Sequence, residues 1–396
     1  MAHLEAPAHR WIILHALFSP RIAGAERYCV DLANHQAALG HRVHVAGLPN
    51  SPMRGALAAN VTFHALASPL LRGFRMRRLM ERANIEVCHA HLSPACKALS
   101  RTPARVTSVA TLHVGYKPHQ HARFNGVICV NRAQSTRLTG YQGTARIIPN
   151  WLPSIEPIGV GVGDDGGGGV GVGVGARTST PTNEHLPQPS LRAELGLEPR
   201  QFLIGAVGRL HPSKGMDLLI SAFRLIAPKH ASLVIMGEGP QRGALERLAD
   251  GDRRIHFTGY RSDVARLLPE LDLFVSPSRE ESFGLAILEA MRAGLPIIST
   301  ATEGPREVFA AQPIAWVTPA SATDMAAALA QTLASATDQE ATRTLTRTRT
   351  AYDLTQFEAS RAVTTVMDFY LHSVRQRQAS SLGVAPRVGA RDPLIV

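Results

Sequence analysis

Short apolar runs alternate with helically spaced apolar residues along most of the chain. The first run, residues 11–17, gives way to a polar loop, SPRIAGAE, after which Tyr28, Leu32 and Leu39 recur at helical spacing up to Gly40, a natural stop. HRVHVAG then reads as a second strand, so the chain opens on a βαβ unit with Gly24 at its phosphate-facing turn. Further strands are predicted at 61–66, 85–89, 106–112, 127–130 and 146–148. The rhythm resumes with a strand at 202–207, a loop GRLHPSKG, an amphipathic helix at 216–227, and strands at 232–236 and 255–257. Residues 274–300, FVSPSREESFGLAILEAMRAGLPIIST, pack a strand, a polar loop, a helix and another strand into 27 residues. Helices are predicted at 322–334 and 356–375. Alternation of this kind indicates parallel, doubly wound α/β sheets.

The length of 396 residues makes two domains the default. Between the halves lies GVGVGDDGGGGVGVGVGARTSTPTNEH, which has no periodicity, cannot bury a core and reads as a flexible insertion. Its glycines do not make a phosphate loop, because no strand leads in and no helix follows directly. The predicted organisation is an N-terminal domain over 1–155, the Gly-rich linker over 156–190, a C-terminal domain over 191–355, a helix over 356–378 returning to the first domain, and a frayed tail over 379–396.

Apolar residues at 45% and charged residues at 18% suit a globular chain. No apolar run reaches the ~18 to 20 residues of a membrane helix, and the start resembles no signal peptide, so a cytoplasmic location is expected. Cys29, Cys88, Cys96 and Cys129 lack CxxC spacing and read as buried thiols of a reducing compartment. The net charge of +11 is one-sided: residues 1–157 hold 18 Lys and Arg against 6 Asp and Glu, the remainder 24 against 25. A basic first half implies an anionic partner. Its densest stretch, LLRGFRMRRLMER, sets Arg72, Arg75, Arg77, Arg78 and Arg82 among Leu71, Phe74, Leu79 and Met80. That suits a helix lying on anionic headgroups with apolar residues inward and guanidinium groups at the surface, or equally a solvated helix packed on a sheet. No nucleic-acid-binding signature accompanies the charge.

Candidate chemistry concentrates in the second half. Glu281 and Glu289 stand with seven residues between them, and Gly284 lies where a helix begins. A helix start offers unpaired N–H groups and a positive dipole end to phosphate, while carboxylates accept hydrogen bonds from sugar hydroxyls. Arg209 and Lys214, five residues apart with Gly208 and Gly215 at the edges, suit a diphosphate. In the first half, His113 follows a predicted strand and points toward a ligand crevice, although His89 and His91 sit at another strand end.

The string around Glu281 and Glu289, the GRLHPSKG loop and the PNWLP junction at 149–153 resemble the retaining glycosyltransferases of family 4, of GT-B architecture. The resemblance covers nearly the whole chain except 156–190 and the tail, and it implies two Rossmann-like domains facing across a cleft. It implies a UDP- or GDP-sugar donor as co-substrate, no metal cofactor, and retention of anomeric configuration. It places Glu281 at the donor sugar, Ser282, Phe283 and Gly284 at sugar and diphosphate, Glu289 on the ribose, and Arg209 and Lys214 on the diphosphate. His113 falls on the sugar from across the cleft, Gly24 near phosphate and acceptor, and Gly259 and Tyr260 beside the base. The basic first half becomes the acceptor side, for a lipid-linked or lipopolysaccharide acceptor at the inner face of a membrane. One departure stands out: in TEGPREVF, Pro305 replaces a glycine of the usual turn. Two other readings are a nucleotide-sugar 2-epimerase of the same shape and a non-enzymatic basic module binding nucleotide or nucleic acid. The second would carry G-x-G-x-x-G after the first strand, and none is there.

Overall fold

Thirteen strands form two separate, wholly parallel sheets among the described residues. The computed structural model describes residues 9–153, 189–198, 200–317, 319–340 and 349–382, of which 336–340 without their side chains. The predicted Gly-rich linker and the predicted tail lie mostly outside them. The first sheet contains β1 (Ile12–Ala16), β2 (Arg42–Gly47), β3 (Thr62–Ala65), β4 (Val87–His91), β5 (Thr107–Thr111), β6 (Gly126–Cys129) and β7 (Thr144–Ile147), in the order β3-β2-β1-β4-β5-β6-β7. The second contains β8 (Phe202–Val207), β9 (Ala231–Met236), β10 (Ile255–Gly259), β11 (Leu273–Ser276), β12 (Ile297–Thr300) and β13 (Ala315–Val317), in the order β10-β9-β8-β11-β12-β13. Each order reverses beside a central strand, at β1/β4 and at β8/β11. In such sheets the ligand crevice lies beyond the carboxyl ends at that reversal.

The two-residue period of strands assigns the faces. Leu14, Cys88, Ala90 and Ala110 look one way in the first sheet and are covered by the helix Arg72–Arg82 through Met76 and Met80. Ile13, Val87, Val109 and Ile128 look the other way, onto Tyr28 and Leu32 of the helix Gly24–Ala38 and onto Val363, Val366 and Phe369 of the helix Ala359–Ser381. The last helix among the described residues therefore lies on the first sheet. Gly126 makes the approach possible, because a Cβ there would stand 2.8 Å from the Phe369 ring. In the second sheet the helices Met216–Ile226 and Ala322–Glu340 cover one face. The helix Leu285–Arg292 covers the other. Each fully buried Leu, Ile or Phe in these layers contributes about 1.5 to 3 kcal/mol. All four cysteines are buried and free.

Two local expectations are corrected. In the helix Arg72–Arg82 the phase 72, 76, 80 points at the sheet, so Arg72 is buried with its guanidinium 4.0 Å from the Phe18 ring centroid. Leu71 and Phe74, expected inward, are 52% and 61% exposed, next to exposed Arg75, Arg77, Arg78 and Arg82. The turn expected around Pro305 is the helix Glu303–Val308. Pro305 fits because it occupies the first turn, where a backbone N–H has no intrahelical acceptor to lose.

Candidate functional site

The second sheet supplies two loops that touch. After β8 the chain passes Arg209 and a short 3-10 turn, Pro212–Lys214, to Gly215, whose φ is +62°. A Cβ on Gly215 would lie 2.0 Å from the Pro277 carbonyl oxygen, so only glycine lets this loop sit against the one following β11. The Ser213 carbonyl accepts from the N–H groups of Arg279 (2.8 Å) and Glu280 (3.0 Å). Lys214 Nζ meets Glu281 Oε2 at 2.5 Å, with both side chains partly exposed. Arg209 is exposed, and among the described residues its guanidinium has no partner.

Gly284, at φ +95°, turns the chain into the helix Leu285–Arg292. The first helical bond runs from Leu288 N–H to the Gly284 carbonyl at 3.1 Å, which leaves the N–H groups of Leu285, Ala286 and Ile287 without intrahelical acceptors. The Ser282 carbonyl accepts from Asn131 Nδ2 of the first half at 2.6 Å. Phe283 was expected among the ligand-contacting residues. Its side chain is instead 2% exposed and packs edge-on against Phe309 and Phe357, so only its backbone can face a ligand. Gly259, at φ +74°, ends the edge strand β10, and Tyr260 beyond it is 55% exposed.

Glu289 is buried, and its carboxylate accepts from Arg27 Nη1 of the first half at 2.7 Å. Burial pushes the Glu289 carboxyl above its ordinary range, while Arg27 and Arg292 pull it back down. Arg27 stands one turn after Gly24, the first residue of the helix Gly24–Ala38. A Cβ on Gly24 would stand 3.1 Å from Leu285 Cδ1, so the two helix starts face each other closely.

His113 follows β5 and is partly exposed, with its ring packed by protein on most sides; burial holds its imidazole down to about 3. Its Nε2 lies 3.2 Å from His91 Nδ1. Behind it, register and strand period place His15, His89, His91 and Thr111 on one face. His15, Cys29 and His91 also bring potential metal-ligating atoms within 4.8 Å of one another.

The structure thus brings Lys214 and Glu281 together, puts Glu289 one turn into the helix that starts after Gly284, and sets Gly24 opposite that helix start. Sequence reading missed Arg27, whose partner lies 262 positions away. It also missed Asn131, and Glu307, whose carboxylate caps the Arg132 and Ala133 N–H groups at 2.6 and 3.1 Å. The GAER string offered a charge beside Gly24 but no sign of what it faces. A cavity of about 450 Å³ is lined by first-half residues and Arg377 and by none of the expected site residues. A small one lies between the halves, bounded by Arg27, Asn150, Trp151 and Leu285.

Residues 22–153 match the model of Glycosyltransferase Family 4, and residues 201–335 that of Glycosyl transferases group 1. A GDP-mannose-dependent alpha-(1-6)-phosphatidylinositol dimannoside mannosyltransferase of Mycobacterium tuberculosis is 42% identical over 118 residues, 28% of this chain and 31% of that protein. The stretches shared with the first relatives thus span about a third of their length. The lipopolysaccharide core biosynthesis glycosyltransferase LpsD of Rhizobium meliloti is 25% identical over 75% of this chain and 80% of its own. The crystal structure of Anabaena HepE in complex with UDP-glucose superposes with a TM-score of 0.64 at 20% identity, covering 95% of this chain and all of that one. That likeness establishes the two-domain GT-B fold.

Proposed function

Because the chain belongs to the family 4 glycosyltransferases of GT-B fold, we propose that it moves a sugar from a nucleoside diphosphate to an acceptor hydroxyl with retention and without a metal ion. The observation that carries this reading is the contact of Lys214 with Glu281 in the loops at the carboxyl edge of the second sheet, beside the helix start after Gly284, with Glu289 buried one turn into that helix. Departure of the diphosphate builds negative charge, and Arg209, Lys214 and the free N–H groups of the helix start would stabilise it. Glu281 would exchange Lys214 for sugar hydroxyls, and Glu289 would exchange Arg27 for the ribose. His113 would meet the sugar from the first half. Gly259 and Tyr260 would flank the base. Similarity to LpsD over most of the chain supports a lipopolysaccharide or lipid-linked acceptor in the cell envelope.

Incubation with UDP-glucose, UDP-N-acetylglucosamine or GDP-mannose in the presence of a chelator separates transfer from epimerisation. A transferase leaves the sugar of each donor unchanged until a core oligosaccharide or lipid acceptor is added. Appearance of a C2 epimer from a donor alone would replace the proposal.

Membrane docking rests on the exposed Leu70, Leu71 and Phe74 beside Arg75 and Arg78. No helix among the described residues is long and apolar enough to cross a membrane. Apolar side chains flanked by guanidinium groups suit a peripheral seat on anionic lipid at the cytoplasmic face. Co-sedimentation with anionic vesicles, lost in Leu71→Ser/Phe74→Ser, is the expected result; equal and negligible binding to neutral and anionic vesicles contradicts it.

A further inference from the structure

Four histidines converge on the inner face of the first sheet near its carboxyl edge. His15, His89 and His91 have no exposed surface, and burial holds each imidazole below its ordinary value. Three of the four form a single file: His113 Nε2 to His91 Nδ1 at 3.2 Å, His91 Nε2 to His15 Nδ1 at 3.1 Å, and His15 Nε2 to Gln36 Oε1 at 2.7 Å. Gln36 in turn points its Nε2 at Met367 Sδ, 3.4 Å away.

A neutral imidazole carries one proton, so it donates from one nitrogen and accepts at the other. With the Gln36 amide oriented as it stands, oxygen toward His15 and nitrogen toward Met367, one direction satisfies this file. The Gln36 carbonyl oxygen cannot donate, so His15 carries its proton on Nε2 and accepts at Nδ1. His91 must then donate from Nε2 and accept at Nδ1, which requires the proton of His113 on Nε2. Reversal would set a lone pair of His15 against the Gln36 oxygen unless the amide flipped, and that flip would replace the contact of Gln36 Nε2 with Met367 Sδ by an oxygen whose donor is the Tyr370 hydroxyl. Among the described residues, His113 Nδ1 has no hydrogen-bond partner.

We propose that Gln36, His15 and His91 are positioning residues that hold His113 as its Nε2–H tautomer, so that His113 offers a lone pair at Nδ1 to a hydroxyl of the donor sugar. The contact to sugar rests on the function proposed above; the tautomer does not. A side chain locked as an acceptor selects a ligand with a hydroxyl there and disfavours one that presents only an acceptor. The relay and a metal ion held by His15, Cys29 and His91 are alternatives, because an ion between the two imidazoles would take the place of the proton they share.

The test is two-bond ¹H–¹⁵N NMR of histidine side chains in the full chain, with the His113 signal assigned by its disappearance in His113→Gln. The expected pattern is Nε2–H for His113; an Nδ1–H or imidazolium pattern overturns the proposal. Gln36→Met removes the terminal acceptor while keeping volume, and should give His113 a mixture of tautomers. The second readout is the ratio of Kd for UDP-glucose to Kd for UDP, and likewise for GDP-mannose and GDP. Gln36→Met should weaken the nucleotide sugar by the factor by which the Nε2–H population falls, about 2-fold for an even mixture, and leave the nucleotide unchanged. Equal loss for both would mean a merely structural role and overturn the proposal. A zinc titration that shifts the His15 and His91 signals would overturn it as well. If His113→Gln leaves nucleotide-sugar affinity intact while His113 is Nε2–H, the sugar contact fails and the relay stands.

Discussion

Replacing Arg27 with methionine removes the charge that crosses between the two halves while keeping most of the side-chain volume. Glu289 is 7% exposed at its side chain and Arg27 24%, so the pair is buried on one side only. Removing one member of a buried pair costs about 3 to 5 kcal/mol; with Arg27 partly in water and Arg292 still near the carboxylate, about 3 kcal/mol is expected. Most of that cost is the stranded Glu289 charge, so Arg27→Met/Glu289→Gln should recover about half of it or more. The pH dependence follows from the direction of the Glu289 shift. Its folded value lies above the ordinary one, and loss of Arg27 raises it further. As pH falls through the folded value the native state takes up a proton before the unfolded chain does, so the deficit of Arg27→Met should shrink toward pH 5. Urea unfolding followed by tryptophan fluorescence, at pH 7.5 and pH 5, measures all of these; Trp151 lies beside this contact. Equal destabilisation by the single and double replacements, or no effect of Arg27→Met, would refute the reasoning.

Other outcomes follow from the same geometry. Gly215→Ala, which needs φ +62° and brings Cβ to 2.0 Å from the Pro277 oxygen, should separate the two site loops and abolish nucleotide binding, while Gly251→Ala, with nothing near its Cβ, should leave binding intact in calorimetric titration. Lys214→Met should weaken UDP or GDP by about 1.5 to 3 kcal/mol, the range for a hydrogen bond to a charged group, as read from the same titration. The neutral, fully buried His15, His89 and His91 give stability that is whole above the unfolded value near 6.5 and is lost as pH falls toward the folded value, about 4 for His15. The loss approaches about 1.4 kcal/mol per pH unit for each, and urea midpoints between pH 6.5 and 5 should show it. A flat profile would mean that these imidazoles are not buried and neutral.

What the chain discloses about itself depends on range. Strand and helix periods are local, so β8 is found at its observed bounds, and β1 to β7, β9 and β10 emerge within two residues at either end. The helix start after Gly284 and the Arg209–Lys214 loop are also local patterns. Arg27 escaped because its meaning lies in a contact between residues far apart in sequence, which no window contains. The orientation of the helix Arg72–Arg82 was misjudged for another reason: its apolar residues surround it on several sides, and only the sheet beneath decides that Met76 and Met80, not Leu71 and Phe74, are covered. The histidine file lay between these cases. His89 and His91 share a strand face by period, but the alignment of His15 with His89 comes from the β1–β4 register.

The most direct measurement of the central claim is thermal unfolding with UDP-glucose, UDP-N-acetylglucosamine and GDP-mannose in the presence of a chelator, for the wild-type chain and for Glu289→Gln. A ligand at 100 times its Kd stabilises the native state by about 2.7 kcal/mol, enough to raise Tm by several degrees. The account predicts a rise with at least one of the three donors, reduced in Glu289→Gln. No rise with any of them, or a rise that requires added metal, would contradict it.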